Sequence, residues 1–200
     1  MEKTINIFGD SIAWGAYDET GGWADRLKSY FMNLDKGYFD FYNLGVSGDN
    51  TDDLLKRFKI ENEARTPDVI IIAIGTNDAS YVASKDDNYV SLDKFENNLS
   101  EIIKQAKIFT NEIIFVGLTK SNEKMVTPAP WATDFYYKNK DAKIYNTKIK
   151  EICQKNNLLF IEMMDLSNND DLEDGLHPNT KGHEKMFLRV KDFLVENKIV

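Results

Sequence analysis

The sequence predicts an α/β protein built on a doubly wound sheet of parallel strands. Short apolar runs alternate with amphipathic helix patterns along the chain, which is the order that right-handed βαβ units require. The third apolar run, Val-Ile-Ile-Ile-Ala-Ile at 69–74, is too uniformly apolar for a strand with one face in water. It therefore predicts a central strand that helices cover on both faces.

Five apolar runs are predicted to form the strands of this sheet. They lie at 4–8, 39–44, 69–74, 113–118 and 158–161. Apolar stripes with a helical period predict helices in between and after them. The stripes are Phe95, Leu99, Ile102, Ile103 and Ala106; Tyr145, Ile149, Ile152 and Cys153; and Met186, Val190, Phe193 and Leu194. Residues 22–31 and 51–64 are predicted to form two further helices.

The chain has the size and composition of one domain. Its 200 residues are 42% hydrophobic and 29% charged, which suits a globular protein with a single core. No internal repeat, linker or low-complexity tract divides the sequence. We therefore expect one domain over residues 1–200.

Two polar segments interrupt the alternation of strands and helices. Residues 79–91 are polar and acidic, and residues 119–141 carry two prolines and four aromatic residues. Loops of this length are uncommon in a compact domain unless they are functional. Two interpretations stay open: a lid or pocket wall, or a satellite cluster packed on the surface.

Charge and cysteine content limit the partners and the compartment. The net charge is −8 and the lysines are interleaved with acids, which argues against nucleic acid or an anionic membrane as a partner. No run of apolar residues is long enough to span a membrane. The N-terminus runs directly into a strand pattern without the features of a secretion signal, which predicts a cytoplasmic protein. The single cysteine, Cys153, excludes an intramolecular disulfide and a multi-cysteine zinc site.

Small polar clusters follow four of the five predicted strands. They are Gly9-Asp10-Ser11, the segment Asn-Leu-Gly-Val-Ser-Gly-Asp at 43–49, Gly-Thr-Asn-Asp at 75–78, and Asp-Gly-Leu-His-Pro at 174–178. Sites in open parallel sheets form beyond the carboxyl ends of the strands. We therefore expect these clusters to converge.

The clusters supply the groups that acyl transfer to water requires. Ser11 offers a hydroxyl nucleophile, which needs a base to take its proton. His177, one of only two histidines, offers that base, and Asp174 is placed to accept a hydrogen bond from its Nδ1–H. The N–H groups of Ser11 and Gly48 and the side-chain amide of Asn77 are predicted to form an oxyanion hole.

Together these residues resemble the SGNH hydrolases, also known as GDSL esterases and lipases. The four blocks occur in the family's order and span nearly the whole chain, with one small departure: the first reads Gly-Asp-Ser-Ile rather than Gly-Asp-Ser-Leu. The resemblance implies a flavodoxin-like three-layer α/β/α fold with a five-stranded parallel sheet. It also implies hydrolysis of esters or thioesters without a metal or organic cofactor, with the roles given above for the five residues.

Each residue also has a simpler structural interpretation. Ser11 could cap the helix that follows it, and Asn77 could only shape a turn. Ser47 is a rival nucleophile, although its surroundings are one residue short of the Gly-x-Ser-x-Gly motif. Asp174 could be an ordinary solvated acid, and His183 is predicted to be structural. Because all four blocks occur together in one sequence, the catalytic interpretation is favoured over the structural ones.

The substrate is predicted only as a class. We expect a small-molecule ester with a short acyl or acetyl group, with Trp14 and Trp131 as candidate substrate-binding residues. A lysophospholipase or thioesterase of the same family is an alternative. From other classes, a metallophosphoesterase needs more histidine ligands than the chain has, and a non-catalytic sugar-binding module would leave the catalytic set unexplained. The oligomeric state is not predicted.

Overall fold

The computed structural model describes residues 2–33, 38–166 and 168–200. The strands are β1 (Glu2–Gly9), β2 (Tyr38–Gly45), β3 (Val69–Ala73), β4 (Tyr81–Val82), β5 (Asp87–Asn88), β6 (Glu112–Val116), β7 (Phe135–Tyr136) and β8 (Leu159–Ile161). The helices are α1 (Ser11–Trp14), α2 (Gly22–Met32), α3 (Thr51–Arg65), α4 (Leu92–Ala106), α5 (Glu123–Val126), α6 (Asn139–Asn156) and α7 (Thr180–Glu196).

The main sheet has five parallel strands in the order β2-β1-β3-β6-β8. This is the flavodoxin-like order, in which the chain reverses direction across the sheet between β1 and β3. All five predicted strands are confirmed, and so is the fold class. The carboxyl ends of β1, β2 and β3 are in register, with Gly9 opposite both Gly45 and Ala73. The loops after these strands therefore start at the same edge.

Helices cover both faces of the sheet, as the apolar third strand predicted. In β3, Val69 and Ile71 point into a core that α2 and α7 close, whereas Ile70 and Ile72 point into a second core beneath α3, α4 and α6. These four side chains are fully buried. Alternate residues of one strand thus bind the two helical layers to the sheet.

The three predicted helical stripes lie against these cores. Those of α4 and α6 are buried in the second core, and that of α7 lies in the first. The additional helices predicted at 22–31 and 51–64 correspond to α2 and α3. Across the part of the chain that the structure describes, no helix has the length and apolar character that crossing a bilayer requires.

The two polar segments carry more structure than the loops that their sequences predicted. Residues 79–91 contain β4, β5 and a 3₁₀ turn, and residues 119–141 contain α5, β7 and the start of α6. Strand β4 pairs with both β5 and β7, so the two segments join in a small antiparallel sheet. Strands of two residues have no readable alternation, which is why the sequence did not predict them.

Candidate active site

Ser11 lies at the turn from β1 into α1. The carboxylate of Asp10 caps this helix by accepting a hydrogen bond from the N–H of Ile12 at 2.9 Å. Gly9 is required just before it, because a Cβ there would lie 2.4 Å from the carbonyl oxygen of Ala73. Since Asp10 provides the cap, the Ser11 hydroxyl is left free for another partner.

That partner is His177. The Ser11 hydroxyl and His177 Nε2 lie 2.8 Å apart, and His177 Nδ1 lies 2.7 Å from Asp174 Oδ2. Asp174 Oδ1 accepts hydrogen bonds from the backbone N–H groups of Leu176 and His177 at 3.0 and 2.8 Å. The structure therefore joins the three side chains in one hydrogen-bonded chain, with the aspartate fixed from two sides.

The charge of Asp174 is stabilised in place. Partial burial raises its pKa, but the hydrogen bonds from the His177 ring and from two backbone N–H groups more than offset this, and the pKa is lowered overall. An ionised carboxylate at this position holds the Nδ1–H tautomer of His177, which leaves Nε2 free to accept the Ser11 proton.

Gly48 and Asn77 border the same cleft as Ser11 and His177. Gly48 has a φ of 85°, a left-handed conformation that favours glycine, and nothing lies within 4 Å of where its Cβ would be. Ser47 also lines the cleft. Among the described residues, however, the hydrogen bond to His177 Nε2 comes from Ser11 and not from the rival Ser47.

The side-chain amide of Asn77 is held at both ends. Its Nδ2 donates to the carbonyl oxygen of Asp49 at 2.9 Å, and its Oδ1 accepts from the hydroxyl of Tyr137 at 3.2 Å. Arg57 in turn binds the Asp49 carboxylate at 2.8 Å and the Gly9 carbonyl at 3.3 Å. The turns that carry Ser11, Gly48 and Asn77 are therefore tied together. The sequence predicts Tyr137 only as part of the aromatic segment 119–141, and no local spacing marks Arg57.

Aromatic side chains form the walls of a cleft of about 560 Å³. The predicted Trp14 and Trp131 both line it, and they remain 56% and 47% exposed. The ring of Trp131 lies 5.9 Å from the ring of His177. The cleft can thus present flat apolar surfaces to a ligand beside the Ser11 hydroxyl.

Tyr17 forms a third aromatic wall of the cleft, which no pattern in the sequence predicts. Its ring lies 5.6 Å from that of His177, and its φ of 63° is rare for a bulky residue. The next residue, Asp18, holds this turn, since its carboxylate accepts from Gly22 N–H at 3.0 Å and from Arg26 Nε at 2.9 Å. The strained turn thus brings the Tyr17 ring beside the imidazole.

Two buried carboxylates lie beneath the cleft. Burial raises the pKa of Asp10 to about 6. Burial also raises the pKa of Asp78 to about 7, although hydrogen bonds from the N–H and hydroxyl of Thr51 act against it. Asp78 thereby links the Gly-Thr-Asn-Asp turn to the first residue of α3. Each carboxylate costs stability when it ionises.

The contribution of Asp78 to the free energy of unfolding should therefore fall as pH rises from 5 to 8. The folded pKa of Asp78 lies above the unfolded value of about 3.9, so its stabilising contribution is present at low pH and is lost as pH rises through about 7. The loss should be on the order of a few kcal/mol. Asp78→Asn should flatten this dependence in thermal unfolding at the two pH values, whereas exposed Asp93→Asn should not. An unchanged slope in Asp78→Asn would contradict the assignment.

The second histidine, His183, and the single cysteine, Cys153, are not among the residues that line the cleft. His183 is fully buried, with Nε2 3.0 Å from the Ala16 carbonyl oxygen and Nδ1 accepting from Trp23 N–H at 3.3 Å. Cys153 is buried on α6, and burial raises its thiol pKa to about 12. Both have the structural environments predicted for them. Within residues 2–33, 38–166 and 168–200, no group of three or more His, Cys, Asp or Glu side chains is placed to hold a metal ion.

Solved structures of similar fold include a lipase/acylhydrolase and an acetylxylan esterase. A lipase/acylhydrolase from Enterococcus faecalis superposes with a TM-score of 0.78 at 23% identity, covering 96% of this chain and 95% of that one. A catalytic mutant of Axe2, an acetylxylan esterase from Geobacillus stearothermophilus, has a TM-score of 0.73 at 20% identity, covering 97% and 93%. At these identities the likeness shows the fold.

Two curated relatives share sequence with the chain. The "Multidomain esterase" of Ruminococcus flavefaciens is 27% identical over 92% of this chain and 27% of its own length. The "Uncharacterized lipoprotein YqeF" of Bacillus subtilis (strain 168) is 29% identical over 52% of this chain and 44% of its own. The chain thus spans less than half the length of either relative.

A family-level match covers most of the chain. The sequence profile of the GDSL-like Lipase/Acylhydrolase family matches residues 7–185. This range contains Ser11, Gly48, Asn77, Asp174 and His177, the residues on which the predicted resemblance rested. The chain therefore belongs to the GDSL-like Lipase/Acylhydrolase family.

Proposed function

We propose that the protein is a serine esterase that hydrolyses carboxylic esters with short acyl or acetyl groups. The observation that carries the proposal is the hydrogen-bonded chain from Ser11 through His177 to Asp174, with distances of 2.8 and 2.7 Å, at the floor of an open cleft. Gly48 and Asn77, the proposed oxyanion donors, border the same cleft.

In the first half of the proposed reaction, Ser11 Oγ attacks the ester carbonyl carbon while His177 Nε2 takes the hydroxyl proton. Negative charge then develops on the carbonyl oxygen. The N–H groups of Ser11 and Gly48 and the Nδ2–H of Asn77 stabilise this charge, each donor being worth roughly 3 kcal/mol of barrier. When the intermediate collapses, His177 returns the proton to the leaving alcohol and an acyl group remains on Ser11.

In the second half, a water molecule gives a proton to His177 Nε2 and attacks the acyl carbonyl. The same donors hold the oxyanion. Collapse breaks the bond to Ser11 Oγ, which takes the proton from His177 and releases the carboxylic acid. Asp174 stays ionised throughout and stabilises the imidazolium that forms in each half. No cofactor is needed for this sequence of steps.

The substrate preference is proposed from the cleft and from the similar proteins. Trp14, Tyr17 and Trp131 leave flat aromatic surface exposed beside Ser11, which suits a sugar ring or an aryl group as the alcohol part. The acetylxylan esterase among the similar structures is in keeping with an acetylated saccharide. A lysophospholipase or thioesterase activity is the alternative within the family.

The organisation and location of the protein are also proposals. The family match over 7–185 supports our proposal that residues 1–200 act as one hydrolase domain. A cytoplasmic location stays a prediction, and one relative is described as a lipoprotein. The proposed partner is a small-molecule ester.

A series of p-nitrophenyl esters of increasing acyl length tests this proposal. We expect kcat/KM to be highest for acetyl or butyryl and to fall at least about tenfold by decanoyl, because an open cleft encloses a long acyl chain poorly. A flat or rising profile would favour the lysophospholipase alternative. No turnover of any ester, with retained binding of saccharides, would indicate a non-catalytic sugar-binding module instead.

A further inference from the structure

The hydroxyl of Tyr137 contacts the proposed oxyanion hole from outside it. It lies 3.2 Å from Oδ1 of Asn77, while Nδ2 of Asn77 donates to the Asp49 carbonyl oxygen at 2.9 Å. One hydrogen bond is made by each end of the amide. The second N–H of Nδ2 takes part in neither of these hydrogen bonds. Because Asn77 borders the cleft, this N–H is available to an oxyanion there.

We propose that Tyr137 is a positioning residue for catalysis, which orients the Asn77 amide so that an N–H and not the carbonyl oxygen faces the oxyanion. The inference rests on the proposed function, in which Asn77 is an oxyanion donor. Through Tyr137, the aromatic segment 119–141 takes part in the reaction itself.

An asparagine amide keeps one orientation only if hydrogen bonds hold it. Rotation about its terminal torsion is broad and roughly two-fold, so the oxygen and the NH₂ group exchange places easily. A carbonyl oxygen aimed at a developing oxyanion would repel it, whereas an N–H stabilises it. The Asp49 carbonyl oxygen can only accept a hydrogen bond, so it selects the Nδ2 end of the amide. The Tyr137 hydroxyl then donates to Oδ1 at the other end and holds the amide in that orientation.

Tyr137 can act as a donor over the whole working range of pH. Burial raises its pKa to about 12, with smaller contributions from the charges of Asp10 and Asp174. The phenol therefore keeps its proton, and the hydrogen bond to Asn77 Oδ1 persists.

The backbone of Tyr137 is held firmly as well. Its N–H donates to the Val126 carbonyl at 3.1 Å, and its carbonyl accepts from the Ser121 hydroxyl at 2.9 Å. It directly follows β7, which pairs with β4 of the other inserted segment. The small antiparallel sheet thus supports the residue that contacts Asn77.

Tyr137 also lines the cleft, so it could be only a wall that touches substrate. The two roles differ in kinetics. A wall residue contributes to ground-state binding and changes KM, whereas an orienting residue acts on the transition state and changes kcat. Removing the hydroxyl while keeping the ring separates them.

The experiment compares Tyr137→Phe with wild type on p-nitrophenyl acetate. We expect kcat to fall about tenfold, equivalent to about 1.4 kcal/mol of barrier, with KM within about twofold of the wild-type value. The matched control is Tyr136→Phe, because the neighbouring ring packs against Tyr81 in the small sheet and lies outside the cleft. An unchanged kcat in Tyr137→Phe, or a change in KM alone, would overturn the inference.

A double-mutant cycle with Asn77→Ala tests whether Tyr137 acts through Asn77. Once Asn77 is gone, its orientation no longer matters, so Asn77→Ala/Tyr137→Phe should have the kcat of Asn77→Ala within about twofold. A further loss of the full tenfold would mean that Tyr137 acts independently. If Asn77→Ala itself keeps the wild-type kcat, the oxyanion role in the proposed function is what fails.

A spectroscopic measurement on the wild-type protein covers the case in which Tyr137→Phe folds poorly. The side-chain ¹⁵NH₂ resonances of Asn77, assigned by their absence in Asn77→Ala, should be sharp in wild type, and the N–H that donates to the Asp49 carbonyl oxygen should exchange slowly with solvent. In Tyr137→Phe they should broaden or exchange faster, and in Tyr136→Phe they should not. Broad, rapidly exchanging resonances in the wild type would show an unclamped amide and overturn the inference.

Discussion

Ser11→Ala is expected to reduce ester hydrolysis to background while leaving the fold intact. The change removes the only atom that can form the acyl-enzyme in the proposed mechanism, and the remaining base and oxyanion donors give only a small residual rate. Stability should hardly change, because Asp10 and not Ser11 caps α1. We expect the midpoint of thermal unfolding to shift by less than about 2 °C.

Labelling with a serine-directed phosphonate makes this prediction specific to one residue. Wild-type protein should gain one adduct, on the peptide that contains Ser11, and Ser11→Ala should gain none. Ser47→Ala is the matched control, because Ser47 lines the same cleft without the hydrogen bond to His177. It should keep the adduct and most of the activity. The opposite result, with activity lost in Ser47→Ala and kept in Ser11→Ala, would transfer the nucleophile's role to Ser47.

The sheet could be predicted from sequence because its signals are local. The residues of β3 are apolar at every position, which only a strand covered on both faces tolerates. The stripe of α4, from Phe95 to Ala106, has the period of a helix with one buried face. The small antiparallel sheet gave no such signal, since strands of two residues depend on their partners rather than on a pattern of their own.

The residues of the candidate site also fall into two groups, those that local sequence predicts and those that only the fold brings to the cleft. Asp174 and His177 are three residues apart, so one turn brings the carboxylate and the imidazole together and the sequence displays the pair. Tyr17 and Tyr137 reach the cleft only through the folded structure, one by a strained turn and the other by an inserted segment. No spacing in the sequence marks either of these contacts.

Asp174→Asn should lower kcat by roughly 10³–10⁴-fold, and the reason lies in the direction of its hydrogen bonds. The backbone N–H groups of Leu176 and His177 donate to Oδ1, so an asparagine must keep its oxygen there. Its NH₂ group then faces Nδ1 and donates to it. The imidazole proton moves to Nε2, where it faces the Ser11 hydroxyl, and the base can no longer accept the serine proton.

Kinetics and stability together check this argument. The control is Glu173→Gln, which removes the charge of a neighbouring exposed acid and should keep the wild-type kcat. The comparison distinguishes the loss of a negative charge from the loss of the correct imidazole tautomer. Because the folded pKa of Asp174 is lowered, its stabilising contribution is present above the unfolded pKa of about 3.9 and is lost as pH falls below it. Asp174→Asn should therefore be less stable than wild type at pH 7, and the difference should shrink toward pH 3. A variant that keeps its kcat while losing stability in this way would show that Asp174 supports the turn but does not set the imidazole for catalysis.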